Sequence, residues 1–193
     1  MKRFVLTAVL ITGLTAGAAT ATSRVASSPT ATRCGGPLWR MKTLSDPQRT
    51  LVQLMAATTT IGGIAKRPSP RPVPIRRRTH YQRQVWNVVS QITQYRLESG
   101  GVRLVLFDAG SYLNAVIPMP NCLSSSTRAR SQIAQAWKAF TACARPTAEW
   151  QSLGAVAYVG GVGFWGARGQ GRGSAPNGAE LHPVTSIRIV AGC

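Results

Sequence analysis

Acidic residues are scarce here, at 5 Asp+Glu in 193 residues against 23 Lys+Arg, for a formal charge of +18. So few carboxylates leave little material for a paired-carboxylate hydrolase or an all-oxygen cation site. Lysine is rare too, only Lys2, Lys42, Lys66 and Lys138, so the basic excess is an arginine excess. Guanidinium suits bidentate contact with phosphate, sulfate or carboxylate, although codon usage would give the same bias without any ligand. With only His80 and His182 and no Cys-x-x-Cys, no zinc-ligand spacing exists, and no metal or cofactor is expected. No Gly-x-Ser-x-Gly occurs to support a serine nucleophile. Long apolar runs are missing after the N-terminus, and 44% hydrophobic residues suit a globular core rather than a disordered chain.

What is present begins with an export signal. Lys2 and Arg3 precede the apolar stretch Phe4 to Leu14, and Ala16-Gly17-Ala18 and Ala19-Thr20-Ala21 both offer small-residue cleavage sites. Residues 1–18 are therefore read as a signal peptide, with no cysteine beside it for a lipid anchor, and the mature chain as secreted, outside the membrane and strongly basic. Four cysteines in an exported chain, Cys34, Cys122, Cys143 and Cys193, imply two disulfides. Of three possible pairings, Cys122 with Cys143 is favoured because the two flank one predicted helix, which leaves Cys34 for Cys193.

Residues 19–65 carry no clear periodicity and read as an irregular N-terminal arm, partly docked. Residues 66–78 hold four prolines and six cations, the pattern of an extended, exposed basic linker. From residue 79 strand signals take over. Val85 to Leu97 is β-rich, with Trp86, Val88 and Ile92 in one phase and Tyr95 and Leu97 in the other, so a bulge is expected inside it. Ser99-Gly100-Gly101 and Asp108-Ala109-Gly110 mark hairpin turns around Val102 to Phe107, and Tyr112 to Ile117 follows. Ser124 to Thr127 are expected to cap a helix reaching Ala144, on which Ile133, Ala136, Trp137 and Phe140 recur at helical spacing. Leu153 to Trp165 and Glu180 to Val190 complete the strands, with a Gly/Arg loop between them. The order β-β-β-α-β-β predicts a mainly β fold, a five-stranded OB-like barrel over 79–193; an open α+β sheet is the alternative.

Several stretches also carry a resemblance: Lys42-Thr43-Leu44-Ser45-Asp46, Leu104-Val105-Leu106-Phe107-Asp108, the corner Pro118 to Cys122, Gly161-Val162-Gly163-Phe164-Trp165 and, most specifically, the Pro-Asn-x-x-Glu-Leu-His-Pro-Val motif of residues 176–184. In these the chain resembles a family of secreted bacterial proteins of uncharacterised function. The resemblance implies secretion and a small β-barrel, and it assigns no catalytic residue.

Ligands of OB-folds lie across the second and third strands, between the loops that join strands one to two and four to five. That mapping proposes Arg96, Arg103, Phe107, Tyr112 and Asn114 on the face, with Arg168, Gln170 and Arg172 from the glycine-rich loop. Cations interleaved with flat rings suit an anionic polymer, either a single-stranded nucleic acid or an acidic polysaccharide. A one-residue slip in register would bury half of that set. The enzymatic alternative is a small metal-assisted nuclease or phosphodiesterase using Asp108, Glu180 and His182, with Asn177 nearby, since Glu180 and His182 share a strand face. The remaining alternative is an envelope structural or interaction domain, in which the loops and linker bind nothing.

Overall fold

Alternating burial along one long strand organises the molecule, a computed structural model that describes residues 34–169 and 171–193. The expected signal peptide, the start of the arm and Gln170 lie outside the described residues. Strand β2, Gln84–Glu98, buries Trp86, Val88, Ser90 and Ile92 and then Tyr95. The change of phase is a register break between Ile92 and Gln94, seen against both neighbouring strands, at the place where the sequence switches face. The bulge bends the strand, so that β2 pairs with β3, Gly101–Asp108, through its second half and with β5, Gln151–Trp165, along most of its length.

The other pairings follow from hairpins and one crossover. Ala109 and Gly110, both at positive φ, turn β3 into β4, Ser111–Pro118. Strand β6, Ala179–Ala191, runs antiparallel to β5 and meets β4 in parallel at Asn114 and Ala115. The chain is thus mainly β, a six-stranded mixed sheet in which β2, β3, β4, β6 and β5 close a ring. Its interior is filled by residues such as Ile92, Leu104, Leu106, Leu113, Ile117, Val159 and Leu181, all fully buried.

Helix α3, Arg130–Cys143, packs on β6 and β4 through Ile133, Ala136 and Phe140, with Trp137 half-buried beside them. Its expected cap is absent. Ser124 bonds Ser126, at 2.9 Å between the hydroxyls, and Thr127, and the helix starts after Ala129 in the left-handed region with no side-chain cap. The preceding residues are used for docking: Arg128 donates its backbone N–H to the Leu44 carbonyl and its guanidinium to the carbonyls of Arg49, Thr50 and Val52.

Both disulfides form, but with the other pairing, Cys34–Cys122 and Cys143–Cys193. A helix of α3's length is about 21 Å long, so it holds the cysteines on its two sides apart instead of joining them. Because α3 packs on β6, its last residue reaches the chain end that follows that strand.

The N-terminal segment contributes the sixth strand. Strand β1, Gln53–Thr58, lies parallel to β2 outside the ring, between the one-turn helices α1, Trp39–Lys42, and α2, Ile61–Ala65. Nor is the basic run solvated along its length. Arg77 is fully buried, paired with Asp46 at 2.9 Å and donating to the Met41 and Gln82 carbonyls, because it ties α1 to the start of β2.

Candidate functional site

Register decides which candidates share a face. On β3, Val102, Leu104 and Leu106 enter the core, so Arg103, Val105 and Phe107 point away from it; on β4, Leu113, Ala115 and Ile117 do the same for Tyr112, Asn114 and Val116. Arg103 lies opposite Val116, Val105 opposite Asn114, and Phe107 opposite Tyr112. All the candidates on these two strands therefore stand on one outer face.

The loop joining β5 to β6 crosses the middle of that face. Gly173, at φ +69, rests on Val105, where a Cβ would collide with the valine methyls, and Asn114 donates to the Ser174 hydroxyl at 3.2 Å. Val105 and Asn114 are each only 2% exposed as a result. What is left open is a charged end and an aromatic end.

The charged end is a cleft of about 300 Å³ lined by Arg96, Glu98, Arg103, Asn114, Trp150, Arg172 and Glu180, among others. Glu98 sits between two of the arginines: one oxygen accepts from Arg96 Nε and Nη2 at 3.0 and 2.7 Å, and the other from Arg103 Nε at 2.8 Å. Arg103 Nη1 also lies 3.5 Å from Glu180. The Arg96 guanidinium covers the Trp150 ring at 4.6 Å and that of Arg172 lies 5.4 Å from it, with Arg172 also donating to Gln94 at 3.1 Å. Tryptophan and glutamate thus fix the directions of three guanidinium groups.

The electrostatics agree with that arrangement. Burial opposes the charge on Glu98, but the charges and hydrogen bonds of Arg103 and Arg96 outweigh it and hold the carboxyl below its usual range. Burial likewise opposes the charge on Glu180, and contact with His182, together with the charges of Arg103 and Lys42, reverses the sign. Arg103 is desolvated yet held above its ordinary value by Glu180 and Glu98.

Of the predicted binding residues, Arg96, Arg103 and Arg172 meet at this cleft. Phe107 and Tyr112 pack together at the other end, ring centres 4.8 Å apart, with Tyr112 46% exposed. Arg168 joins neither group: its guanidinium donates to the Ser69 carbonyl at 2.7 Å and holds the basic run. Asn177 is likewise a fastener, donating to the Ile64 and Arg67 carbonyls and accepting from the Ala179 N–H.

The enzymatic constellation is not assembled. Asp108 lines a separate cavity with Thr58, Thr59, Thr60 and Val89, while Glu180 faces the arginine cleft. His182 lies 3.9 Å from Glu180 but is 3% exposed, and neither ring nitrogen has a hydrogen-bond partner. Burial lowers its pKa to about 4, so it stays neutral at ordinary pH, shut away from any substrate. Among the described residues no group of three His, Cys, Asp or Glu could hold a metal ion.

Trp150, Glu98 and Lys42 were not among the sequence-based candidates. Trp150 follows Pro146 in a segment without periodicity, so no pattern points to it. Glu98 had a readable signal, as the single acid beside the first hairpin and flanked by Arg96 and Arg103.

Comparison with known proteins adds little to this geometry. No family model and no curated protein matches the sequence. Among solved structures, the chain is similar to a Leishmania major Friedlin protein assigned as an aspartyl-tRNA synthetase, at 10% identity and a TM-score of 0.43, over 74% of this chain and 22% of that one. It is also similar to Entamoeba histolytica asparaginyl-tRNA synthetase in complex with asparaginyl-adenylate, at 10% identity and a TM-score of 0.40, over 73% and 25% respectively. The chain spans about a quarter or less of the length of either enzyme. Among the described residues no helix is long and apolar enough to cross a membrane.

Proposed function

We propose that this chain is a secreted, non-catalytic binding module for an anionic polymer, with the ring of strands acting as an OB-like barrel over residues 79–193. The order of pairing supports the barrel: the first strand of the ring is bulged and shared by two partners, and the third meets the last in parallel. Two disulfides suit the oxidising compartment that export implies. The resemblance to secreted bacterial proteins belongs to the same proposal, in which the Asn177 motif closes the loop beside the site.

The observation that carries the binding role is the convergence of Arg96, Arg103 and Arg172 on one cleft, with directions fixed by Glu98 and Trp150. Guanidinium groups held in this way lose little freedom when an anion arrives, which favours affinity. Phe107 and Tyr112, on the same face beyond the crossing loop, extend the contact surface. The whole-chain charge of +18 then assists encounter.

Chromatography on immobilised heparin and on immobilised single-stranded DNA tests the reading. Retention at low salt on at least one of the two, with release as salt rises, is expected. Passage through both columns without retention at low salt rules the function out.

A further inference from the structure

A second cavity adjoins the arginine cleft. It measures about 510 Å³, and Lys42, Arg96 and Glu98 are the charged residues of its lining. Arg96 and Glu98 line both cavities, so a single ion pair forms the wall between them. Lys42, the last residue of α1, also lines the second cavity, and its ammonium lies 5.3 Å from the centre of the Phe164 ring.

Lys42 and Arg172 are the cations of the two cavities without an ion pair among the described residues, and Arg172 donates to Gln94 instead. Both oxygens of Glu98 are engaged by Arg96 and Arg103; of Glu180, Oε1 lies 3.5 Å from Arg103, whereas the buried Oε2 has no hydrogen-bond partner, and among the described residues neither carboxylate pairs with Lys42. The ammonium is nevertheless half-buried, and burial outweighs the attraction of Glu180 and Glu98 to lower its pKa. A desolvated cation that lacks its own carboxylate is stabilised by an incoming anion. Across the two cavities four cations, Lys42, Arg96, Arg103 and Arg172, face two carboxylates, Glu98 and Glu180.

The same lining separates two kinds of polyanion. The face of Trp150 beneath Arg96 is covered, so it is closed to a stacked base, and the free rings Phe107 and Tyr112 stand beyond the crossing loop. The carboxylates of the cleft accept hydrogen bonds from sugar hydroxyls, which each unit of a polysaccharide carries and the backbone of a DNA strand lacks. Each cavity also lies within the roughly 300–1,000 Å³ range of small-ligand sites, enough for a sugar unit.

Building on the function proposed above, we infer that the Lys42 cavity is a second anion subsite, and that the two cavities together hold successive acidic units of one polysaccharide chain. Lys42 contacts one acidic group and Arg103 with Arg172 the next, while Arg96 and Glu98 form the partition between them.

The rarity of lysine makes a clean test possible. Amine acylation of the folded chain is followed by mass spectrometry with and without saturating heparin, with Lys138, exposed on α3, as the internal reference. Acylation of Lys42 is expected to slow several-fold in heparin while that of Lys138 is unchanged. Heparin binding that leaves the Lys42 rate unaltered overturns the subsite and leaves the arginine cleft standing. Protection by single-stranded DNA but not by heparin overturns the choice of polysaccharide. Failure of the chain to bind either polymer overturns both the subsite and the function on which it rests.

Discussion

Arginine is used in this molecule in at least three physically distinct ways. Arg77 is a core residue, its charge matched by Asp46 and its remaining donors taken by carbonyls. Arg128 and Arg168 are fasteners that hold irregular segments through backbone oxygens. Arg96, Arg103 and Arg172 line a cleft, which is a use that composition alone does not distinguish from the others. His182 has a different consequence. Its folded pKa is about 4 against 6.5 for an unperturbed histidine, so at pH values in between the unfolded chain takes up a proton that the folded chain refuses. Stability contributed by the neutral imidazole is therefore full above about pH 6.5 and is lost as pH falls toward about 4. Between pH 7 and pH 5 the loss should be about 2 kcal/mol, read as a drop in the urea midpoint, and His182→Leu should remove most of it. A wild-type midpoint that is level across that range contradicts the assignment.

Elements with an alternating or helical pattern were readable in advance, and the remainder were not. The five strands of the ring lie within a few residues of their expected positions, and the bulge at Thr93 was visible because Trp86, Val88 and Ile92 change phase with Tyr95. Strand β1 was invisible for a physical reason: most of its side chains are exposed, so burial imposes no alternation on its sequence. Capping by Ser124 to Thr127 was a sound local inference that tertiary docking of Arg128 overrode. The pairing of cysteines depends on which elements pack together, and α3 packing on β6 leads to Cys143–Cys193. Peptide mapping without reduction should recover a Cys34–Cys122 peptide and a Cys143–Cys193 peptide. Recovery of Cys122 linked to Cys143 would mean that α3 does not lie as described. Of the candidate site, the three arginines and the ring pair were legible from strand order, whereas Trp150 and Lys42 reach it from segments with no periodic signal.

For the whole molecule the question is whether a positioned site or diffuse charge binds the ligand, since 23 basic residues attract any polyanion to some degree. Glu98 and Glu180 neutralise part of the cleft, so its binding must come from the direction of its guanidinium groups as much as from net charge. A charge-matched comparison separates the two. Arg172 lines the cleft, whereas Arg145 is an exposed arginine beyond the end of α3 that does not line it. Heparin affinity is measured across a salt series for the wild type, Arg172→Ala and Arg145→Ala. The account predicts that Arg172→Ala weakens binding about tenfold, on the order of 1–2 kcal/mol for a lost charge-assisted contact, and that Arg145→Ala changes it little. Equal, small losses in the two variants would show that the cleft is not the binding site.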